Sequence, residues 1–192
     1  MIGFFGGSFD PVHYGHLKTA YAIKKELRLK QLFLMPCKAP VHKDALHFSN
    51  QQRLDMLNLA LVEFNDLQID RREIDRQSPS YTIETLKHIK QDYPNEKIFL
   101  IIGQDSFNAL NTWKDYQKFN DYVQLVVLPR SSDSQITNTH ISNVYFAKTP
   151  FIDISSTQVR SILSDATSIG KIDSQKLSGL VPDNIIQYIQ KI

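Results

Sequence analysis

Met1-Ile2-Gly3-Phe4-Phe5-Gly6-Gly7-Ser8-Phe9-Asp10-Pro11-Val12-His13-Tyr14-Gly15-His16 is the stretch whose reading decides the fold. Its apolar head reads as a buried strand, and Gly6-Gly7-Ser8 with Asp10-Pro11 reads as turn chemistry. The apolar periodicity that follows predicts a helix over 17–27. Gly6 and Gly7 let a ligand approach the main chain closely. The helix directs its free N–H groups and positive dipole end back at the turn, which favours an anion. His13 and His16, three residues apart, face the same way on a helical start. Two imidazoles beside an anion cradle indicate a phosphate site with proton or hydrogen-bond donors aimed at it. The same residues also fit an ordinary α/β turn, or half of a zinc site. Zinc needs further ligands, and the chain offers one cysteine and four scattered histidines, His42, His47, His88 and His140. Neither G-x-x-x-x-G-K-[ST] nor G-x-G-x-x-G occurs, so the turn is neither a P-loop nor a dinucleotide fingerprint.

Composition narrows the setting. A chain of 192 residues is long enough for one sizeable core, and a single domain over 1–192 is expected. Hydrophobic content of 42% and charged content of 22% are ordinary for a soluble globular protein. A formal net charge of +2 is too mild for nucleic-acid binding, which would show clustered Lys and Arg. The lone Cys37 excludes an internal disulfide and fits a reducing cytoplasm. The first core strand starts at once, leaving no room for a signal peptide, and no apolar run is long enough to cross a bilayer. The expectation is a soluble cytoplasmic protein without nucleic-acid or membrane partners; a homo-oligomer is compatible with it.

Farther along, 31–35 is an apolar strand stopped by Pro36, and 37–44 is a proline-broken polar loop. Ser49 or Asn50 caps a helix whose apolar face is Leu54, Leu57, Leu59 and Leu61. A short strand at 67–69 precedes the charged run 70–76, which is mixed in sign and reads as a solvated, self-paired surface. Ser80-Tyr81-Thr82 precedes a helix through Tyr93 that Pro94 ends. The cleanest buried strand is 97–102, and Gly103-Gln104-Asp105 opens a helix directly after it. Strands at 124–128 and 144–147 follow, and 131–143 reads as a mobile loop. Ser155-Ser156-Thr157 caps a helix to about Leu163, and Pro182 stands in the first turn of a last, small helical segment. This alternation predicts an α/β fold, a Rossmann-like doubly wound parallel sheet with helices on both faces. Ligands bind such sheets outside the carboxyl ends of the strands. The polar clusters 6–16, 36–43, 103–105, 129–131 and 153–160 each follow a predicted strand and should converge on one rim.

Ile154-Ser155-Ser156-Thr157-Gln158-Val159-Arg160 is the second informative stretch. Hydroxyls at a helix start are capping residues. Arg160, read within the first turn, opposes the dipole, which makes sense with a polyanion between them. His42 and Lys43 are placed to close the other side of the same phosphate chain. Trp113 is either core packing or a stacking surface for a flat heterocycle. Tyr81 and Thr82 offer hydrogen bonds to that ligand, and Asp105 offers to hold a ribose hydroxyl or to place a metal ion. No nucleophile–base pair stands out. Many phosphate-binding groups without a covalent catalyst point to nucleotidyl transfer, in which positioning and charge stabilisation supply the catalysis.

Residues 6–16 resemble the G-G-[ST]-F-D-P-x-H-x-G-H signature of the H-x-G-H nucleotidyltransferase superfamily, and 154–160 resemble its I-S-S-T-x-[IV]-R partner. Pro79-Ser80-Tyr81-Thr82-Ile83-Glu84-Thr85-Leu86, Gly103-Gln104-Asp105 with Leu110 and Trp113, and Leu180-Val181-Pro182 with Tyr188-Ile189 are similar to segments of bacterial nicotinate mononucleotide adenylyltransferases. The resemblance spans essentially the whole chain. It implies transfer of AMP from ATP to nicotinate mononucleotide with Mg²⁺, giving deamido-NAD and pyrophosphate. It implies His13, His16 and Arg160 as catalytic groups, with both histidines contacting the ATP phosphates, and Gly6, Gly7, Ser8, Phe9 and His16 as part of the ATP site. Gly103 and Asp105 join the ATP site, and Ser156, Thr157 and Arg160 hold the β- and γ-phosphates. His42, Lys43, Tyr81, Thr82, Asp105, Trp113 and Arg130 are implied for the mononucleotide; no direct metal ligand is assigned. Two segments depart from the family pattern. The loop reads Pro36-Cys37-Lys38-Ala39-Pro40-Val41-His42-Lys43 where P-x-x-x-P-P-H-[KR] is usual, and Leu128-Pro129-Arg130 stands where Arg-Pro is common. A phosphopantetheine adenylyltransferase, or a nucleotide-binding regulator that has lost turnover, are the other readings of the same motifs.

Overall fold

The opening apolar residues form the first strand of a six-stranded sheet in the computed structural model, which describes residues 1–38, 46–77, 81–129, 135–137, 141–169 and 174–192. Among these residues the elements run β1 (Ile2–Gly7), α1 (Tyr14–Glu26), β2 (Gln31–Pro36), α2 (Asn50–Glu63), β3 (Gln68–Ile69), α3 (Thr82–Asp92) and β4 (Ile98–Gly103). They continue with α4 (Gln104–Asn108), β5 (Gln124–Leu128), β6 (Val144–Phe146), α5 (Ser156–Ile169), α6 (Ser174–Leu177) and α7 (Asp183–Ile189). Two short 3₁₀ segments, Leu110–Thr112 and Tyr116–Asp121, lie between α4 and β5.

The strand order is β3-β2-β1-β4-β5-β6, with every pairing parallel. Alternate residues of a strand point to opposite faces, and a parallel sheet buries both. Phe5, Leu34, Ile101 and Val126 pack with Leu17, Leu57, Val159 and Ile186 in one core. Their neighbours Phe4, Phe33, Leu100 and Val127 pack with Ile83, Leu86, Ile89 and Phe107 in the other. This is the expected doubly wound, Rossmann-like sheet. The order reverses direction between β1 and β4, so the crevice for a ligand lies at their carboxyl ends. Gly7 pairs with Pro36 and Gly103 with Leu128, which keeps those ends level along one rim.

Some local readings hold and others need correction. Helix α1 begins at Tyr14 rather than residue 17, so His13 is its N-cap and His16 lies in its first turn. Ser49 caps α2 in a capping box with Gln52. The buried face of α2 is Arg53, Leu54, Met56, Leu57 and Ala60; Leu59 and Leu61 only flank it. The charged run is self-paired but not simply solvated. Asp70 and Glu73 are buried, and Arg72 bonds Asp70 while its guanidinium lies over the Phe4 ring at 5.6 Å. Helix α5 runs past Leu163 to Ile169. Pro182 is the N-cap of α7, one position before its first turn. Within 131–143, the described residues make hydrogen bonds to Asn108 and Asn120. Asn108 donates to the Gln135 carbonyl at 3.1 Å and accepts from the Thr137 N–H at 3.1 Å, and Asn120 donates to the Ser142 carbonyl at 2.7 Å. No helix among the described residues is long and apolar enough to cross a membrane.

Candidate active site

The rings of His13 and His16 lie together at the end of β1, with centroids 3.7 Å apart and planes at 31°. His16 also meets the edge of Phe9 at 5.0 Å. His13 is 4% exposed, and burial pulls its imidazole down from the ordinary histidine value to about 4. It is therefore neutral at pH 7, and its buried Nδ1 has no hydrogen-bond partner among the described residues. Gly15 permits this arrangement. A Cβ there would stand 2.8 Å from the His13 ring and 2.8 Å from the Ile154 carbonyl oxygen. The glycine of the histidine motif is thus a close-packing residue as well as a helix residue.

The turn itself divides its labour. At Gly6 the nearest atom to an added Cβ would be Met35 Cε at 4.0 Å, and at Gly103 nothing lies within 4 Å, so the main chain is open at both. At Gly7 a Cβ would touch the Phe9 ring at 3.0–3.3 Å. Phe9 is fully buried with a left-handed φ of 47°. Its side chain belongs to the core, so only its backbone is left for a ligand. The start of α1 is less open than the sequence suggests, because the Tyr14 N–H donates to the Leu180 carbonyl at 2.8 Å.

The second motif docks directly onto the first. Arg160 donates to the Asp10 carbonyl at 2.7 Å and to Thr157 Oγ1 at 3.1 Å, and approaches Asp10 Oδ2 at 3.9 Å. Ser156 donates to the Pro11 carbonyl at 3.0 Å, and Ser155 accepts the Gln158 N–H at 3.1 Å as the helix cap. Arg160 is the fifth residue of α5, beyond the first turn. Its location follows from Asp10 and not from a contest with the dipole. Asp10 is 3% exposed and also accepts the His47 and Phe48 N–H groups at 2.8 Å each. One carboxylate thereby joins the β1 turn, the approach to α2 and the Arg160 side chain.

Asp10 and Arg53 are buried charged groups absent from the expected site. Asp10 lies inside the quoted motif, and its role needed its buried partners to be visible. Arg53 carried a readable signal. It shares the buried helical face with Leu57 and Ala60, four and seven residues on, where a cation is out of place.

Further expected residues lie at the start of α3 and in the segment after β4. Tyr81 is the N-cap of α3, with Thr82 next to it, and the Lys114 ammonium sits 4.5 Å over the Tyr81 ring. Trp113 is half-buried, with its edge on Phe119 at 6.2 Å, so part of the indole packs in the core and part faces outward. Asp105 is exposed in the first turn of α4, directly after Gly103. His42, Lys43, Arg130, Pro79 and Ser80 lie outside the described residues. Among the described residues, no three His, Cys, Asp or Glu gather in a group able to hold a metal ion.

Comparison with known proteins agrees with this fold. Residues 4–162 match the cytidylyltransferase-like family model. The chain is 51% identical to a probable nicotinate-nucleotide adenylyltransferase of Vesicomyosocius okutanii, covering 100% of this chain and 95% of the relative. It is 37% identical to one from Psychromonas ingrahamii over 99% of this chain and 94% of that one. Among solved structures, Plasmodium falciparum nicotinic acid mononucleotide adenylyltransferase complexed with NaAD superposes with a TM-score of 0.78 at 19% identity, covering 99% of this chain and 94% of that one. The same enzyme complexed with APC gives a TM-score of 0.77.

Proposed function

The chain belongs to the nicotinate-nucleotide adenylyltransferase family, and from that premise we propose that it transfers AMP from ATP to nicotinate mononucleotide. One nucleotidyltransferase domain over 1–192 carries the reaction, in the reducing cytoplasm that a lone Cys37 suits. A phosphate oxygen of the mononucleotide attacks the α-phosphorus of ATP. The bond from that phosphorus to the bridging oxygen breaks, and pyrophosphate leaves with the electron pair. The incoming phosphate is already an anionic nucleophile, so the protein supplies position and charge stabilisation.

The observation that carries this reading is the junction of the two motifs: the paired rings at 3.7 Å and the 2.7 Å bond from Arg160 to the Asp10 carbonyl. Gly6, Gly7, Ser8 and the Phe9 backbone form the phosphate cradle, and Gly103 leaves room beside it. His13 and His16 donate to oxygens that gain charge in the transition state. Ser156, Thr157 and Arg160 hold the β- and γ-phosphates. Tyr81, Thr82, Asp105 and the outward part of Trp113 receive the mononucleotide, with His42, Lys43 and Arg130 assigned to it from the sequence. Mg²⁺ arrives with ATP as part of the co-substrate.

The test is pyrophosphate release from Mg–ATP with nicotinate mononucleotide and nicotinamide mononucleotide in parallel. Release with the acid and little with the amide is expected. Release with neither, alongside measurable ATP binding, overturns the reading.

A further inference from the structure

Arg53 is fully buried in α2, yet among the described residues no carboxylate lies within ion-pair distance of its guanidinium. Its bonds go mainly to main-chain carbonyls. Nη1 donates to the Ser8 carbonyl at 2.6 Å, and Nη2 donates to the Cys37 carbonyl at 2.8 Å, the Lys38 carbonyl at 3.3 Å and Asn50 Oδ1 at 2.8 Å. Nε is buried with no hydrogen-bond partner among the described residues. Burying a cation is costly, and a core that needed only volume would be served by an apolar side chain. Arg53 also sits in the first turns of a helix, where the dipole disfavours positive charge. Packing alone therefore does not account for it.

We propose that Arg53 is a positioning residue for adenylyl transfer, orienting the β1 turn and the start of the loop after β2 with one guanidinium. The inference rests on the proposed function. A peptide unit is planar, with its C=O and N–H on opposite sides. Holding the Ser8 carbonyl therefore sets the direction of the Phe9 N–H, at the end of the phosphate cradle. Holding the Cys37 carbonyl likewise sets the Lys38 N–H. The Cys37 N–H already donates to the Gly7 carbonyl at 3.0 Å, so the two loops are tied on both sides. A planar fork with donors in fixed directions serves carbonyls on two different loops at once; an ammonium has no such rigid geometry.

The experiment compares wild type, Arg53→Lys and Arg53→Ala by thermal melting and by initial rates of pyrophosphate release, at a temperature where each is folded. Arg53→Lys is expected to melt cooperatively while kcat/KM for the mononucleotide falls by about tenfold or more, the scale of a small misplacement of reacting groups. Added methylguanidinium should restore activity to Arg53→Ala and leave Arg53→Lys and wild type unchanged. Folded Arg53→Lys with kcat/KM equal to wild type, or Arg53→Ala with lowered activity that guanidinium does not move, overturns the proposal. If both variants misfold, Asn50→Ala decides, because Asn50 is half-exposed at the helix start and steadies one guanidinium arm. An unchanged melt with a raised mononucleotide KM supports the role, and unchanged kinetics overturn it. Wild-type enzyme that releases no pyrophosphate with nicotinate mononucleotide instead defeats the substrate assignment. The same variants are then measured with the acceptor that does turn over.

Discussion

At the scale of single residues, the histidine pair makes the sharpest predictions. His16→Ala should lose about 10²-fold or more in turnover, as expected for removing a transition-state donor, while ATP binding measured by calorimetry changes little. Unchanged turnover would remove His16 from the mechanism. His13 supplies a pH test. Burial holds its folded value at about 4, against 6.5 ordinarily. Between those values the unfolded chain binds more protons, so stability should fall as pH drops through that window. In the proposed complex ATP phosphates beside the ring would favour imidazolium, so ATP binding near pH 5 (about the middle of the window) should take up a proton. Calorimetry in buffers of different ionisation enthalpy reads that uptake, and His13→Gln should reduce it. The pairing of the two histidines was legible from their spacing. That His13 is held neutral was not, because burial is a property of what packs around it. Gly15 is similar: the motif names the glycine, while the contacts with the His13 ring and the Ile154 carbonyl exist only once α5 is in place.

At the scale of elements, helix boundaries follow local chemistry, and the linking contacts follow the sheet. Ser49 was one of two caps readable in sequence, and Ser49→Ala should lower stability by about 1 kcal/mol in thermal melts. The far end of α1 shows what was not readable. Glu26 accepts from Tyr145 Oη at 2.8 Å, the Lys148 N–H at 2.9 Å and Thr149 Oγ1 at 2.7 Å. A carboxylate opposes the dipole at a helix C-terminus, and these donors offset the cost. Burial alone would raise its pKa, but the bonds from Lys148, Thr149 and Tyr145 outweigh it and hold the carboxyl below its usual range. The stabilisation is therefore present above the ordinary glutamate range and lost as pH falls through the lowered value. Glu26→Gln exchanges one acceptor for a donor and should cost about 1–3 kcal/mol in chemical denaturation. One helix thus carries a site histidine at its start and, at its end, anchors the segment leading to the second motif.

At the scale of the whole molecule, residues far apart in the chain share one rim. Trp113→Ala should weaken mononucleotide binding far more than ATP binding; equal losses in titrations of the two would make the indole purely structural. The carboxyl-terminal segment braces α1 and α2. Leu180 receives the Tyr14 N–H, Asn184 donates to the Leu59 carbonyl at 2.8 Å and Tyr188 to Asp55 at 2.8 Å, which fastens α7 to α2. The sequence by itself determined the alternation of strands and helices, the parallel sheet with apolar residues on both faces, and the shared rim at the carboxyl ends of its strands. Period, glycine turns and caps are local, and parallel strands place their carboxyl ends together whatever the side chains are. Only the tertiary structure decided that Asp10 and Arg53 are buried, that Arg160 is held by the first motif, and that Asp70 and Glu73 of the charged run lie inside. Desolvation and long-range hydrogen bonds belong to pairs of distant residues, and no window of sequence contains both partners.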